Sequence, residues 1–105
     1  VAPSSADSIE ISVDNKQQAI KEGRILFQQL CAICHGDKGR GDGLASAALN
    51  PKPANFQKGE FQNQSKGAIY WKITEGRPPM ASYKEALSDE QRWQIVEYLK
   101  TFKKQ

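Results

Sequence analysis

An all-α domain is predicted from three observations. Two long segments repeat apolar residues at spacings of 3 and 4, a shorter one shows the same period, and no stretch alternates long enough for a strand. The first helix is expected from Lys16 to Leu30, capped by Asp14 with Gln17 as its capping-box partner. Ala19, Gly23, Leu26, Phe27 and Leu30 share its apolar stripe. Gly23 within that stripe costs about 1 kcal/mol relative to alanine, a cost offset where a second helix crosses closely, with Phe27 one turn on as the knob. A shorter helix is expected from about Ser65 to Glu75, ended by Gly76 and Pro78-Pro79, with Ile69 and Ile73 on its apolar face. The terminal helix runs from Asp89 to Phe102, with Ser88 and Gln91 as its capping box and Asp89 and Glu90 at the positive end of its dipole. Trp93, Val96, Leu99 and Phe102 form its stripe, broadened by Ile95 and Tyr98; Lys100, Lys103 and Lys104 lie at its negative end. Residues 36–64, with glycines at 36, 39, 41 and 43 and prolines at 51 and 53, read as loop.

Composition narrows the class. At 105 residues the chain has room for one domain, with 38% hydrophobic and 26% charged residues. Its longest apolar run, Leu30 to Cys34, covers 5 residues and excludes a transmembrane helix; two cysteines exclude a multi-bridge scaffold. A domain this small with so little core material needs a staple, for which a metal or bound cofactor serves. Long loops cannot cheaply bury their own backbone, so something central must organise residues 36–64.

Charge divides the chain. Residues 1–15 carry Asp7, Glu10 and Asp14 and no base, while the whole has a net charge of +3. We read 1–15 as an N-terminal arm or tether and 16–105 as the domain, a basic body suited to an acidic docking surface. No basic run with interleaved aromatics points to nucleic acid. A start at Val1-Ala2-Pro3 suggests a removed leader or an excised piece of a longer protein.

The decisive segment is Cys31-Ala32-Ile33-Cys34-His35. Two cysteines three apart with histidine next is the pattern for attaching c-type haem. On one helical turn the two sulfurs lie on one side and reach both vinyl groups of a porphyrin edge, while the next residue offers its imidazole to the iron. Two competitors fit less well. A thioredoxin-like pair follows a strand, and a structural zinc site needs four ligands where this chain has 2 cysteines and 1 histidine. Met80, the sole methionine, suits the second axial position because Pro78 and Pro79 stiffen the strap before it.

With these residues in view, the chain resembles monohaem class I cytochromes c, bacterial soluble forms and oxidase-fused domains among them. CAICH at the first helix's end, a proline strap ending in Met80, and the terminal LSDEQRWQIVEYLKTF carry the resemblance, over about residues 16–102. It implies a fold of three main helices and long loops around one covalent haem c, held by thioethers to Cys31 and Cys34 and axially by His35 and Met80. It also implies that Gly23 and Phe27 meet Ile95 and Tyr98 at a helix crossing, and that Leu49 is a pocket leucine. The family's proline 12 residues past the histidine, whose carbonyl takes the imidazole N–H, is Ala47 here. Tyr70 and Trp71 are candidate pocket residues with polar atoms for a propionate, as Phe56 and Phe61 are for the porphyrin wall; Arg40 or Arg77 would pair with a propionate.

The glycine loop 36–43 lacks the strand and Gly-Lys-Ser/Thr of a phosphate loop, and Asp37 and Asp42 do not fit calcium spacing. The function implied is one-electron carriage between respiratory redox partners, such as a quinol-oxidising donor and a terminal oxidase or reductase acceptor, with no enzyme activity of its own. The alternatives are an electron-entry haem domain of a larger oxidase or reductase, or a ligand-binding haem whose methionine is displaced. The compartment implied is the periplasm or outer face of the bacterial membrane, with the chain a monomer.

Overall fold

The computed structural model describes residues 2–3, 5–6, 15–46, 53–76 and 82–102. Met80, Leu49, Ala47, Arg77, the two strap prolines and Asp14, all singled out above, lie outside them. Five helices follow in order: α1 Lys16–Leu30, α2 Ala32–His35, α3 Gly59–Gln62, α4 Lys66–Glu75 and α5 Asp89–Leu99. No strand occurs among the described residues.

Helix α1 starts where expected, but its cap is Asn15, whose side chain accepts from the Gln18 amide. Asn and Asp are near-equivalent caps, so composition alone does not choose between neighbours. The stripe buries Ala19, Gly23 and Phe27, while Leu30 stays 36% exposed at the helix end. Helix α5 keeps its predicted capping box between Ser88 and Gln91. It stops at Leu99 rather than Phe102, since Lys100, Thr101 and Phe102 turn off through bonds to Val96, Tyr98 and Leu99 carbonyls. Helix α4, expected from about Ser65, starts at Lys66, and Ser65 is its cap, the hydroxyl accepting from the Ala68 amide. Helix α3 is a single turn inside the stretch expected to be loop; too short to show a period, it is set by packing of Phe61.

The core forms where α1 crosses α5. A Cβ on Gly23 would sit 2.0 Å from the Gln94 carbonyl oxygen and 2.9 Å from Tyr98 Cβ, so only glycine lets the backbones approach this closely. Tyr98 is thus a partner as expected, and Gln94's main chain is the other, with Ile95 buried beside them. Phe27, fully buried, meets Tyr98 edge-on at 5.4 Å and Phe102 at 5.5 Å between ring centres. Helix α4 is tied to α5 at several points. Tyr70 Oη donates to Asp89 at 2.8 Å, Tyr70 packs on Trp93 at 5.6 Å, and Lys66 pairs with the buried Glu97 at 2.9 Å. Near the start of the chain, Ala6 is buried and its amide donates to Pro3.

Candidate functional site

Cys31, Cys34 and His35 sit together because α1 breaks and restarts. The Cys31 amide closes α1 on Phe27, and Cys31's carbonyl then accepts from both Cys34 and His35. One further turn carries the three side chains. Its end carbonyls are not orphaned: amides of Gly41, Gly43 and Ala45 donate to His35, Cys34 and Ile33. The glycine loop is therefore a backbone clamp on the motif. A Cβ at Gly41 (φ +82°) would lie 2.5 Å from the Pro53 carbonyl, so this loop lies directly against segment 53–57.

Segment 53–57 supports the histidine. His35 Nδ1–H donates to the Ala54 carbonyl at 3.2 Å, and the Phe56 ring stacks on the imidazole with centres 4.3 Å apart. With alanine at position 47 where many family members have proline, the sequence left the accepting carbonyl open; the one that meets the ring lies 19 residues past the histidine. The acceptor is main chain, which carries no side-chain signature. Pro53, next to Ala54, is the one signal the sequence offered. Burial keeps the imidazole below the ordinary histidine pKa, with the Ala54 bond pulling the other way. A neutral ring that spends its N–H on a carbonyl leaves Nε2 as a free lone pair for a metal.

Both cysteines are free thiols, and burial, reinforced by Cys34, pushes Cys31 up to about 12. Such a thiol is neutral and a poor candidate for disulfide exchange. Among the described residues no group of three or more His, Cys, Asp and Glu is placed to hold a metal ion. The donor set fits a haem c: two thiols on one turn and an adjacent imidazole with one nitrogen committed and the other free.

A cleft of about 730 Å³ has Ala54 in its wall, with Pro53 and Phe61 as apolar surface and Arg40, Lys58 and Lys72 as cations. Tyr70, an expected pocket residue, is buried, but its hydroxyl is committed to Asp89 and its ring lies under Arg92, 5.2 Å from the guanidinium carbon. Trp71 is half-buried on α4. Sequence reasoning missed Ala54, and placed Phe56 only as a candidate wall residue.

After the strap, Ser82 Oγ donates to the Thr74 carbonyl, the Tyr83 amide to Ile73, and Tyr83 Oη to Leu30, the residue before Cys31. Ile33 and Leu44, whose neighbour Ala45 donates to Ile33, are 61% and 97% exposed.

This helical fold, wrapped about one Cys-x-x-Cys-His turn, defines a monohaem class I cytochrome c that carries a covalent haem c and works by haem-based electron transfer. Residues 18–99 match the family described as cytochrome C oxidase, cbb3-type, subunit III, and the chain belongs to that family. A solved structure titled Kuenenia stuttgartiensis reducing HAO-like protein complex is similar, with 28% identity over 90% of this chain and a TM-score of 0.75. The chain spans 50% of that neighbour's length. The structure titled KustC0563 c-type cytochrome is 32% identical over 77% of this chain and 96% of its own, with a TM-score of 0.67. No curated protein matches the sequence. No helix among the described residues is long and apolar enough to cross a membrane.

Proposed function

We propose that the domain is a one-electron carrier. Its haem c is joined to Cys31 and Cys34 through thioethers and held axially by His35 Nε2 and Met80 sulfur. The observation that carries this reading is the His35–Ala54 hydrogen bond, which orients the imidazole and frees Nε2 beside the two thiols. Haem c supplies a centre that gains and loses one electron. The chain's own part is to hold that centre and shield it.

Support for Met80 comes from the chain on either side of it. The Gly76 amide is fastened to Lys72, and Tyr83 is fastened to Leu30 beside the cysteines. Met80 is three residues before Tyr83, and three residues span at most about 10 Å. That short spacing to an anchored residue supports Met80 as the second axial ligand. Filling both axial positions leaves no site for a substrate, which suits a carrier and not a catalyst. Arg40, Lys58 and Lys72 in the cleft wall supply positive charge for the two propionates.

The partners are redox proteins: a quinol-oxidising donor and a terminal oxidase or reductase acceptor, met through an acidic docking surface. The place is the periplasm or the outer face of the bacterial cytoplasmic membrane, where cytochromes of this kind are matured. A second reading, an electron-entry domain of a larger enzyme, is favoured by the match to an oxidase subunit and by a neighbour twice as long in a protein complex. Mass and pyridine haemochrome of the purified protein test the attachment, with one covalent haem per chain expected. A sulfur-to-iron band in the ferric far red, with no carbon monoxide uptake by the ferrous form, tests the methionine. A colourless protein with titratable thiols would defeat the reading. Co-purification of the full-length gene product with oxidase subunits would favour the second one.

A further inference from the structure

Segment 53–57 is fixed by side chains whose purpose the fold alone does not explain. Phe56 donates its amide to Gly39 at 2.6 Å, and the buried Gln57 donates Nε2 to the Lys38 carbonyl at 2.8 Å. Gln62, on the single turn α3, then does something different. Its Nε2 donates to two carbonyls at once, Phe56 at 2.6 Å and Leu99 at 2.9 Å. Leu99 is the last residue of α5, and its carbonyl also accepts from the Phe102 amide at 3.2 Å. Lys100 fastens the same corner from the other side, donating Nζ to the Gln62 carbonyl at 2.6 Å and also to that of Gln64. One amide thus joins the end of the terminal helix to the residue whose ring stacks on His35, two positions from the carbonyl that takes the His35 proton.

We propose that Gln62 is a positioning residue for the axial histidine, holding the Ala54 carbonyl in register with His35 Nδ1 and thereby setting the reduction potential. This rests on His35 being the iron ligand. A strong N–H···O=C bond makes the imidazole more basic and favours the more positive ferric state. When the bridge is lost, segment 53–57 relaxes, the bond lengthens, and the ferrous state gains. Both Nε2 hydrogens are used, so no shorter or acceptor-only side chain replaces the bridge.

Gln62→Met keeps the side-chain length and removes both donors. Holoprotein carrying it is expected to shift its ferrous-to-ferric equilibrium constant roughly three- to tenfold toward ferrous, where tenfold is 59 mV for one electron. In the ferrous protein, NMR should show the His35 Nδ1 proton exchanging faster with solvent. Ser88→Ala, which removes the capping box at the opposite end of α5 without changing charge, is expected to lower the unfolding midpoint while leaving potential and exchange unchanged. Should Gln62→Met fail to fold, Gln57→Met removes the neighbouring tie to Lys38 and is expected to move both readouts the same way. A Gln62→Met or Gln57→Met protein that loses stability but keeps both native values overturns the proposal while the functional reading stands. Native protein whose haem is not bound by His35 removes the functional reading itself, and the spectrum shows this before any variant is made.

Discussion

The imidazole of His35 gives its Nδ1 proton to the main-chain carbonyl of Ala54, 3.2 Å away and 19 residues further along the chain. No α-helix or strand occurs among the described residues between them, and the bond is one point at which segment 53–57 closes on the Cys-x-x-Cys-His turn. The aromatic face behind it is Phe56, itself in contact with Phe27, Phe61 and Phe102. The histidine is therefore an extension of the core, and its stiffness is the core's stiffness.

Removing that support has a calculable cost. Phe56 is 6% exposed, and Phe56→Ala is expected to destabilise the holoprotein by about 3–5 kcal/mol, as large-to-small aromatic truncations in cores do. Phe56→Leu should cost about 1.5 kcal/mol or less if the site repacks. Urea unfolding followed by the haem spectrum and by tryptophan fluorescence measures both.

Gly23→Ala tests the crossing of α1 and α5 through the sign of its effect. Helix propensity alone predicts a gain of about 1 kcal/mol. The added methyl would stand 2.0 Å from the Gln94 carbonyl, so the helices must part, and overpacking of this kind costs about 1–3 kcal/mol or more. A lower denaturation midpoint is expected; a raised one would mean that the two helices are not in contact at this position.

Met80→Ala separates ligation from folding. Loss of the far-red sulfur-to-iron band and new carbon monoxide binding by the ferrous form are the expected outcomes, with the covalent haem retained through Cys31 and Cys34. Unchanged spectra would reassign the second axial position.

Alkali provides a fourth test. Burial raises all three tyrosines, Tyr70, Tyr83 and Tyr98, above the ordinary value of 10.0. Folding thus favours the protonated phenol: that stability is complete below pH 10 and is lost as pH climbs through the higher folded values. Lys100 acts in the opposite sense, since burial lowers it from 10.5, and its cost to folding is relieved as pH rises through its depressed folded value toward 10.5. Phenolate absorbance should therefore appear at higher pH in folded than in urea-unfolded protein, with the denaturation midpoint falling above that point. Coincident titrations would show the phenols to be solvent-exposed.

How much of this could be read without a structure differs from element to element. Ser88 and Gln91 announced the start of α5 because a capping box is a contact between residues three apart. The cap of α1 was misplaced by one residue, from Asn15 to Asp14, because either side chain can accept the bond. Leu30 follows the apolar period yet remains partly exposed, since a helix end outruns the surface it packs on. Gly23 and Phe27 marked a crossing, but that the Gln94 carbonyl is the point of nearest approach depends on the path of a second helix.

The amino-acid order by itself determined the helical class, the faces of the helices and the two-thiol, one-imidazole turn, because each is a relation between residues within a few positions of one another. Only the tertiary structure decided which carbonyl receives the His35 proton, which ring backs the imidazole, and that Gln62 bridges this corner to the end of α5. Those choices are made by main-chain atoms brought together across long loops, and every residue carries the same carbonyl.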